Sequence, residues 1–399
     1  MSRILVIDYG WCNFHNLISM AESGHEVAVV ATSWHSWEDV PQTFMSKFGI
    51  ELLHVNRDSQ LLKLLPTYDI LISTNPRVPH LGDPKHVQKY YPNIEYLGLS
   101  RMSASIEFHK FEVRSSLERR GVLTVPLQET PKAPFVVKPK VVPIPMDYAQ
   151  ICLDQKTADH FFTHDEFGKQ CNSDNCYFED YIPKPTIETN VDFCMAKGKW
   201  SIRHTQEIIG EDVAKLANQF THWTRTSSFK PLPDWVHDIA VENAKIILDW
   251  CVTVCKESSY VGQITGLCTP DGEWYFCEIN VRPEQTCSLP YFVTGDEYLE
   301  AMRGKPEILG DAFPNHVDKL IVMPNEPDSI YPYHLHEKYG VAIPCGLDII
   351  DGEYRVSRQM RKRSIDNRVG IVICDEVIPE GFIHEMNNED FEITSKMIK

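Results

Sequence analysis

The sequence has no apolar run long enough to span a bilayer. Its opening residues, Met1-Ser-Arg-Ile-Leu-Val-Ile-Asp8, do not follow the layout of a signal peptide. Positive charge is in short supply: 39 Lys and Arg face 56 Asp and Glu, a formal net charge of −17. DNA and anionic membrane both repel so acidic a chain, which excludes general nucleic-acid binding and membrane binding. Cysteine is thin, 12 in 399 residues, and makes no disulfide framework, so the expected compartment is reducing and cytoplasmic. Zinc-site spacing is missing too. Cys171 and Cys176 have no second pair, Cys251 and Cys255 share a helix face, and His334 and His336 lack a third ligand. All three pairs are expected to be structural. The Gly-x-Gly-x-x-Gly fingerprint of dinucleotide binding is absent after the first strand, where Asp8-Tyr9-Gly10-Trp11-Cys12 holds one glycine. No Ser/His or Cys/His pattern marks a nucleophilic enzyme.

What remains is an ordinary globular mixture, 43% hydrophobic and 24% charged, long enough for two or three domains. The first part alternates strand and helix patterns. Ile4–Ile7 and Val27–Ala31 are continuous apolar runs suited to strands buried on both faces. Ile50–Val55, Tyr68–Ser73 and Glu95–Leu99 repeat the signal, and helical stretches lie between them. This alternation predicts a parallel, doubly wound sheet. Ser103–Arg120 reads as one helix stopped by Gly121, followed by strands at Val122–Pro126 and Pro134–Lys138. Cys176–Ile182 reads as another strand, and Glu188–Ile202 as two strands joined at Lys197-Gly198-Lys199. Pro233-Asp234 opens a long helix with an apolar stripe that predicts a core face. Two apolar strands flank Pro270-Asp271-Gly272, a short hairpin signal. In the second of them, strict alternation puts Trp274, Phe276, Glu278 and Asn280 on one face. The final segment has strand runs at Lys319–Met323, Ile349–Val356 and Val369–Cys374 and reads as a small β-rich unit.

Chemistry concentrates in Glu278-Ile279-Asn280-Val281-Arg282. A period of two sets Glu278 and Asn280 side by side, about 7 Å apart at Cα. Two hard oxygen donors on a rigid strand suit a magnesium ion that also bridges phosphates, and Arg282 is placed to hold a phosphoryl oxygen. A lysine at the end of a buried strand, Lys138, is costly unless it meets an anion. With Lys110 upstream it makes a triphosphate clamp. The Glu179-Asp180-Tyr181-Ile182 run offers a linker strand whose backbone pairs with an adenine edge, and Glu188 offers a carboxylate for ribose hydroxyls.

These residues, in this order, resemble the ATP-grasp superfamily, and most closely the phosphoribosylamine–glycine ligase (glycinamide ribonucleotide synthetase) family. The resemblance runs over most of the chain: Ala104–Lys110 with Gly121–Pro126, Pro134–Pro139, Tyr177–Ile182 with Glu188, Tyr260–Leu267 with Asp271-Gly272 and Glu278–Pro283, Asp296–Gly304, and Tyr339–Ile343. It implies an α/β chain of α+β lobes with the ATP-grasp fold. The parts would be a doubly wound pre-ATP-grasp domain over roughly 1–105, a lid and hinge over 106–190, a metal- and phosphate-binding lobe over 191–310, and a small β-rich domain over 311–399. It also implies ATP with magnesium or manganese, and an ADP-forming ligation of a small carboxylate to an amine through an acyl phosphate. Lys110 and Lys138 would grip the phosphates, Glu278 and Asn280 the metal, and Arg282 the transferring group.

Departures accompany the likeness. Pro139-Lys-Val-Val-Pro-Ile-Pro145 carries no glycine where the family has its phosphate loop. Gly10-Trp-Cys-Asn-Phe-His15 keeps a glycine and a histidine of the family's substrate loop but not its Arg-Glu pair. The segment after Arg282, Pro283-Glu-Gln-Thr-Cys-Ser288, is shorter than the family's, and the closing motif is recast as Asn367-Arg368-Val-Gly-Ile-Val. Nucleotide groups are mostly kept and substrate groups are changed. The resemblance therefore implies a ligase with a different acceptor. A true phosphoribosylamine–glycine ligase and a nucleotide-binding module without turnover stay open beside it.

Overall fold

The computed structural model describes residues 1–7, 14–31, 45–46, 48–55, 58–74, 84–141, 149–209, 223–282 and 293–311, with five strands beyond residue 311. Its first sheet is parallel. Strands β1 (Arg3–Ile7), β2 (Glu26–Ala31), β3 (Ile50–His54), β4 (Ile70–Ser73) and β5 (Glu95–Gly98) lie in the order β3-β2-β1-β4-β5. Alternation explains the apolar runs. Ile4, Val6, Val27 and Val29 face one core cluster, while Leu5, Ile7, Ala28 and Val30 face another. Both faces are covered, so neither side of these strands is polar.

A three-stranded sheet follows, in the order β7-β6-β8, from β6 (Phe135–Pro139), β7 (Gln150–Cys152) and β8 (Cys176–Asp180). The largest sheet has eight strands. It contains β9 (Ile187–Ala196), β10 (Lys199–Ile209), β11 (Trp223–Pro231), β12 (Ser259–Cys268), β13 (Trp274–Asn280), β14 (Asp318–Pro324), β15 (Ala342–Pro344) and β18 (Gly370–Cys374). Their order is β13-β12-β9-β10-β11-β14-β18-β15. A separate antiparallel pair joins β16 (Leu347–Ile350) to β17 (Glu353–Val356).

One face of the large sheet is apolar. Val191, Phe193, Met195, Ile264, Ile279 and Val281 pack against the Asp234–Val254 helix through Val236, Ala240, Ala244, Ile247 and Cys251. Each Val, Ile, Phe or Met among them contributes roughly 1.5–3 kcal/mol on burial. The opposite face carries Cys194 and Val261 into the core of the first sheet, beside Tyr298 and Met302, so the two sheets share a packed boundary.

Two sequence expectations change here. Ser103–Arg120 is two helices, Arg101–Phe108 and Lys110–Glu118, with His109 between them at φ −96° and ψ 60°. Ser100 and Ser103 form a capping box on the first, and Gly121, at φ 83°, ends the second turn as expected. Val122–Pro126 is not a strand but a strap between sheets. Phe276 N donates to Leu123 O (2.8 Å) on one side, and Asp180 N to Pro126 O (2.9 Å) and Gln128 N to Phe178 O (2.9 Å) on the other. Its backbone groups are divided between two partners, so no continuous ladder forms. No helix among the described residues is long and apolar enough to cross a membrane. The turn after β1, Pro283–Ser288, the His334/His336 pair and the run around Arg368 lie outside the described residues.

Candidate active site

The β12–β13 hairpin turns at Thr269–Glu273, where Gly272 adopts φ 85° and donates to Thr269 O (3.0 Å). Gly266 is required by Trp274, because a Cβ there would lie 2.1 Å from the indole. That indole donates from Nε1 to Thr189 Oγ1 (2.8 Å). The register slips at this point: Thr265 pairs with Glu278 but Gly266 with Phe276, leaving Cys277 as the extra residue of a bulge. The bulge overturns the strict alternation expected from the sequence. Trp274 and Phe276 point into the core with Ile279 and Val281, while Glu278 and Asn280 emerge on the polar face.

Around Glu278 the structure gathers cations. Lys110 Nζ lies 2.9 Å from Glu278 Oε2, and Asn280 Nδ2 lies 3.4 Å from Oε1. The Lys110 charge, against the opposing effect of burial and with help from Lys138 and Arg282, holds the Glu278 carboxyl down at about 2. It is therefore ionised at neutral pH. The break at His109 is what positions Lys110. It lets the end of one helix and the start of the next address the same strand. Glu107, on the first helix, accepts from Arg282 Nε (2.7 Å) and Val281 N (3.2 Å), and both side chains of this ion pair are more than nine-tenths buried.

Lys138 reaches the site from β6. Its Nζ sits 2.8 Å from Glu179 Oε2 and donates to Cys277 O (3.3 Å). Burial alone pushes the Lys138 ammonium down, but Glu179 more than reverses this and keeps it charged. Glu179 in turn meets Arg114, whose Nε lies 3.3 Å from Oε1, and Arg114 also pairs with Glu118 (3.0 Å) and Val125 O. The sequence suggested Glu179 for its backbone. The structure turns its side chain inward to hold the lysine and pairs its backbone position with Val136 of β6. Asp180 ends β8 and accepts from Gln128 Nε2 (2.8 Å), with Tyr181 and Ile182 just past the strand and partly exposed. Glu188, on β9, is pushed up to about 7 by burial and by Glu278, against the pull of Lys184 and Lys138.

The polar face of β13 thus brings Lys110, Lys138, Glu188, Glu278, Asn280 and Arg282 to one place. Sequence reasoning missed Glu107 and Arg114, the partners of Arg282 and Glu179. The one local signal for Glu107 is its place three residues before Lys110, a single turn of helix away. Among the described residues no group of three or more His, Cys, Asp or Glu side chains is arranged to hold a metal. Glu278 and Asn280 instead present two oxygen donors. That set fits a magnesium ion that completes its shell with phosphate and water, and the surrounding ammonium and guanidinium groups fit the phosphates.

No family model matches the sequence, and no curated protein is similar to it by sequence. Solved structures are similar. An ADP complex of N5-carboxyaminoimidazole ribonucleotide synthetase is 13% identical, with TM-score 0.63 over 99% of this chain and 98% of that one. The enzyme of Aspergillus clavatus bound to ADP and 5-aminoimidazole ribonucleotide is 11% identical, with TM-score 0.62 over 99% of each chain. Biotin carboxylase of Campylobacter jejuni is 14% identical, with TM-score 0.60 over 97% of this chain and 90% of that one. The solved structures named here are carboxyaminoimidazole ribonucleotide synthetases and a biotin carboxylase, so they bear on the coarser likeness and not on the finer one to glycinamide ribonucleotide synthetase. The coarser likeness holds over nearly the whole chain. In its parallel sheet, its antiparallel sheets and these likenesses, the chain has the ATP-grasp fold.

Proposed function

We propose that this chain is an ADP-forming ligase that joins a small carboxylate to an amine, using ATP. The observation that carries the reading is the convergence of Lys110, Lys138 and Arg282, from three separate elements, on the Glu278–Asn280 pair. Lys110 contacts Glu278 directly, while Lys138 and Arg282, each anchored by a buried carboxylate of its own, lie near enough to draw the Glu278 carboxyl down. These cations suit a triphosphate whose charge must be neutralised while its terminal group moves. The four-part division of the chain, at about residues 105, 190 and 310, belongs to the same proposal.

Magnesium held by Glu278 and Asn280 would neutralise phosphate charge. Lys138, kept charged and fixed by Glu179, binds the inner phosphates, and Lys110 beside Glu278 would add its charge to that of Lys138. Arg282 is held at Nε by Glu107. Its terminal nitrogens address the phosphoryl group as it passes to the carboxylate, and then the acyl phosphate. The amine attacks the acyl carbon, forming the C–N bond while the C–O bond to phosphate breaks, and the proton lost from nitrogen leaves with the released phosphate. Glu188 accepts from the ribose, and the backbone after Glu179 pairs with the base. The names of the structural neighbours are those of carboxylating enzymes, which makes bicarbonate the first carboxylate to try.

The test is an ADP-release screen with MgATP, pairing bicarbonate and the amino acids as carboxylates with ammonium, methylamine, 5-aminoimidazole ribonucleotide, phosphoribosylamine and the amino acids as amines. The expected result is release that needs both co-substrates and falls at least about 100-fold in Glu278→Gln. Turnover unchanged in that variant would overturn the reading. ATP binding with no ADP formed from any pair would point to a nucleotide-binding module, and activity confined to glycine with phosphoribosylamine to the purine-pathway ligase.

A further inference from the structure

The Cys171/Cys176 pair, structural by expectation, meets in the fold at the start of β8. Cys171 closes the short helix Glu166–Gln170, its N–H donating to Gly168 O (3.1 Å). The chain then turns back at once. Asn175 N and Cys176 N both donate to Asn172 O (3.2 and 2.9 Å). Asn172 N donates to Asn175 Oδ1 (2.8 Å), and Asn175 Nδ2 to Gln170 O (2.8 Å). This turn sets both cysteines against one apolar cluster with Phe135, Phe161 and Phe178. There the two thiols share a hydrogen bond. Sulfurs already in contact, at the two ends of a pinned turn, have little distance left to close to an S–S bond of about 2 Å.

The two members offer different things. Cys171 is partly exposed and adjoins the exposed run Asn172–Asn175, whereas Cys176 is 1% exposed. The hydrogen bond from Cys171 lowers the Cys176 thiol, against burial and with help from Asn172 N–H and the Lys140 charge; the same contact raises Cys171. An oxidant therefore meets Cys171 first, with a second, more acidic thiol directly behind it. Cys152, in the same cluster, is completely buried, and its thiol is pushed up to about 11, chiefly by burial. Among the described residues no third ligand joins the pair in a metal-holding group, which leaves exchange chemistry. In reducing surroundings such a bond is made and unmade rather than permanent.

We infer that Cys171 and Cys176 are a reversible dithiol–disulfide pair whose oxidant is a small disulfide of the glutathione class. The singly ionised pair holds one proton along its hydrogen bond. With that proton on Cys176, Cys171 attacks one sulfur of the oxidant and expels a thiolate. That thiolate takes the proton, and the freed Cys176 attacks Cys171 and expels the second. One S–S bond forms as one breaks; the protein loses two electrons, and the oxidant becomes one thiol and one thiolate. The new bond closes a ring over the turn that also holds the chain just past β6, where Lys140 N donates to Asn175 O (2.8 Å) and Lys140 Nζ to Ser173 O (2.7 Å). Oxidation thus staples the end of the strand that carries Lys138.

The experiment equilibrates the full chain with mixtures of reduced and oxidised glutathione, quenches with acid, alkylates the remaining thiols and maps the cysteine peptides by mass. A parallel series is run in urea sufficient to unfold the chain. The expected result is a Cys171–Cys176 disulfide that reduced glutathione undoes, with an equilibrium constant at least about 10-fold larger in the folded chain than in the unfolded one, because the fold has already brought the sulfurs together. In Cys176→Ser, Cys171 should keep glutathione as a mixed disulfide. A constant no larger in the folded chain overturns the inference, as do two alkylated thiols at every glutathione ratio, glutathione retained on Cys171 of the wild type, or a bond from Cys171 to Cys152. The wild-type series decides alone if the variant does not fold.

Discussion

Removing Glu107 offers the sharpest physical test of the site's construction. Arg282 is 8% exposed at its side chain and Glu107 5%, so solvent cannot replace either partner. Deleting one member of a buried ion pair costs about 3–5 kcal/mol, because the other charge stays desolvated without its counterion. Glu107→Ala also strips the acceptor from Val281 N–H, a further loss within the usual 1–3 kcal/mol of roughly one buried hydrogen bond. The two terms overlap, and about 4 kcal/mol is a fair total, near a thousandfold in the unfolding equilibrium. The double variant Glu107→Leu/Arg282→Met replaces the pair by apolar groups and should recover most of that loss, giving a coupling of at least about 2 kcal/mol. The assay is a urea titration of wild type, Glu107→Ala, the matching single variants Glu107→Leu and Arg282→Met, and the double variant near neutral pH, with the slope compared as well as the midpoint. A loss below about 1 kcal/mol in Glu107→Ala, the size seen for exposed ion pairs, would refute the claim that the pair is a buried clamp.

Three more outcomes follow from the electrostatics and packing. The Lys110–Glu278 pair holds the carboxyl at about 2 rather than 4.5, but the Glu278 side chain is 34% exposed, so after solvent screening the pair contributes about 1–2 kcal/mol. A depressed carboxyl stabilises above its unfolded value and loses that contribution as pH falls from about 4.5 to about 2; Lys110→Met should flatten this acid limb in thermal melts. Glu188 is displaced the other way, to about 7, so the nucleotide-free fold binds the extra proton and stability drops as pH rises from about 4.5 to about 7. Glu188→Gln should remove that slope in denaturation series across the same window, and an unaltered slope would show that Glu188 is not the group responsible. Gly266→Ala drives a methyl group into the Trp274 indole and should cost about 1–3 kcal/mol or more, with the melting temperature as readout.

Much of this architecture is written in local pattern. The continuous runs of β1 and β2, the Lys197-Gly198 turn between β9 and β10, the Asp234–Val254 helix and the Asp271-Gly272 turn each follow from periodicity and turn chemistry. The residue types of the candidate site were legible for the same reason, since Glu278, Asn280 and Arg282 sit close together at the end of β13. The facing of β13 was not legible. A bulge at Cys277 depends on how Trp274 packs over Gly266, and no count along the strand reveals that. Glu107 and Arg114 were hidden differently. Each is a charged residue on a helix, which sequence patterns assign to solvent, and only the folded chain shows that their counterions come from residues 175 and 65 positions later. The strap at Val122–Pro126 misled because its composition suits a strand while its hydrogen bonds are split between two sheets.

That strap has a bearing on how the cleft can vary. It is hydrogen-bonded to β13 on one side and to β8 on the other. The spacing between the strand that bears Glu278 and the sheet that bears Lys138 is therefore gauged by main chain. Side chains lining the gap can be exchanged for others without resetting its width, so a scaffold built this way can vary what it faces while Lys138 and Glu278 keep their separation.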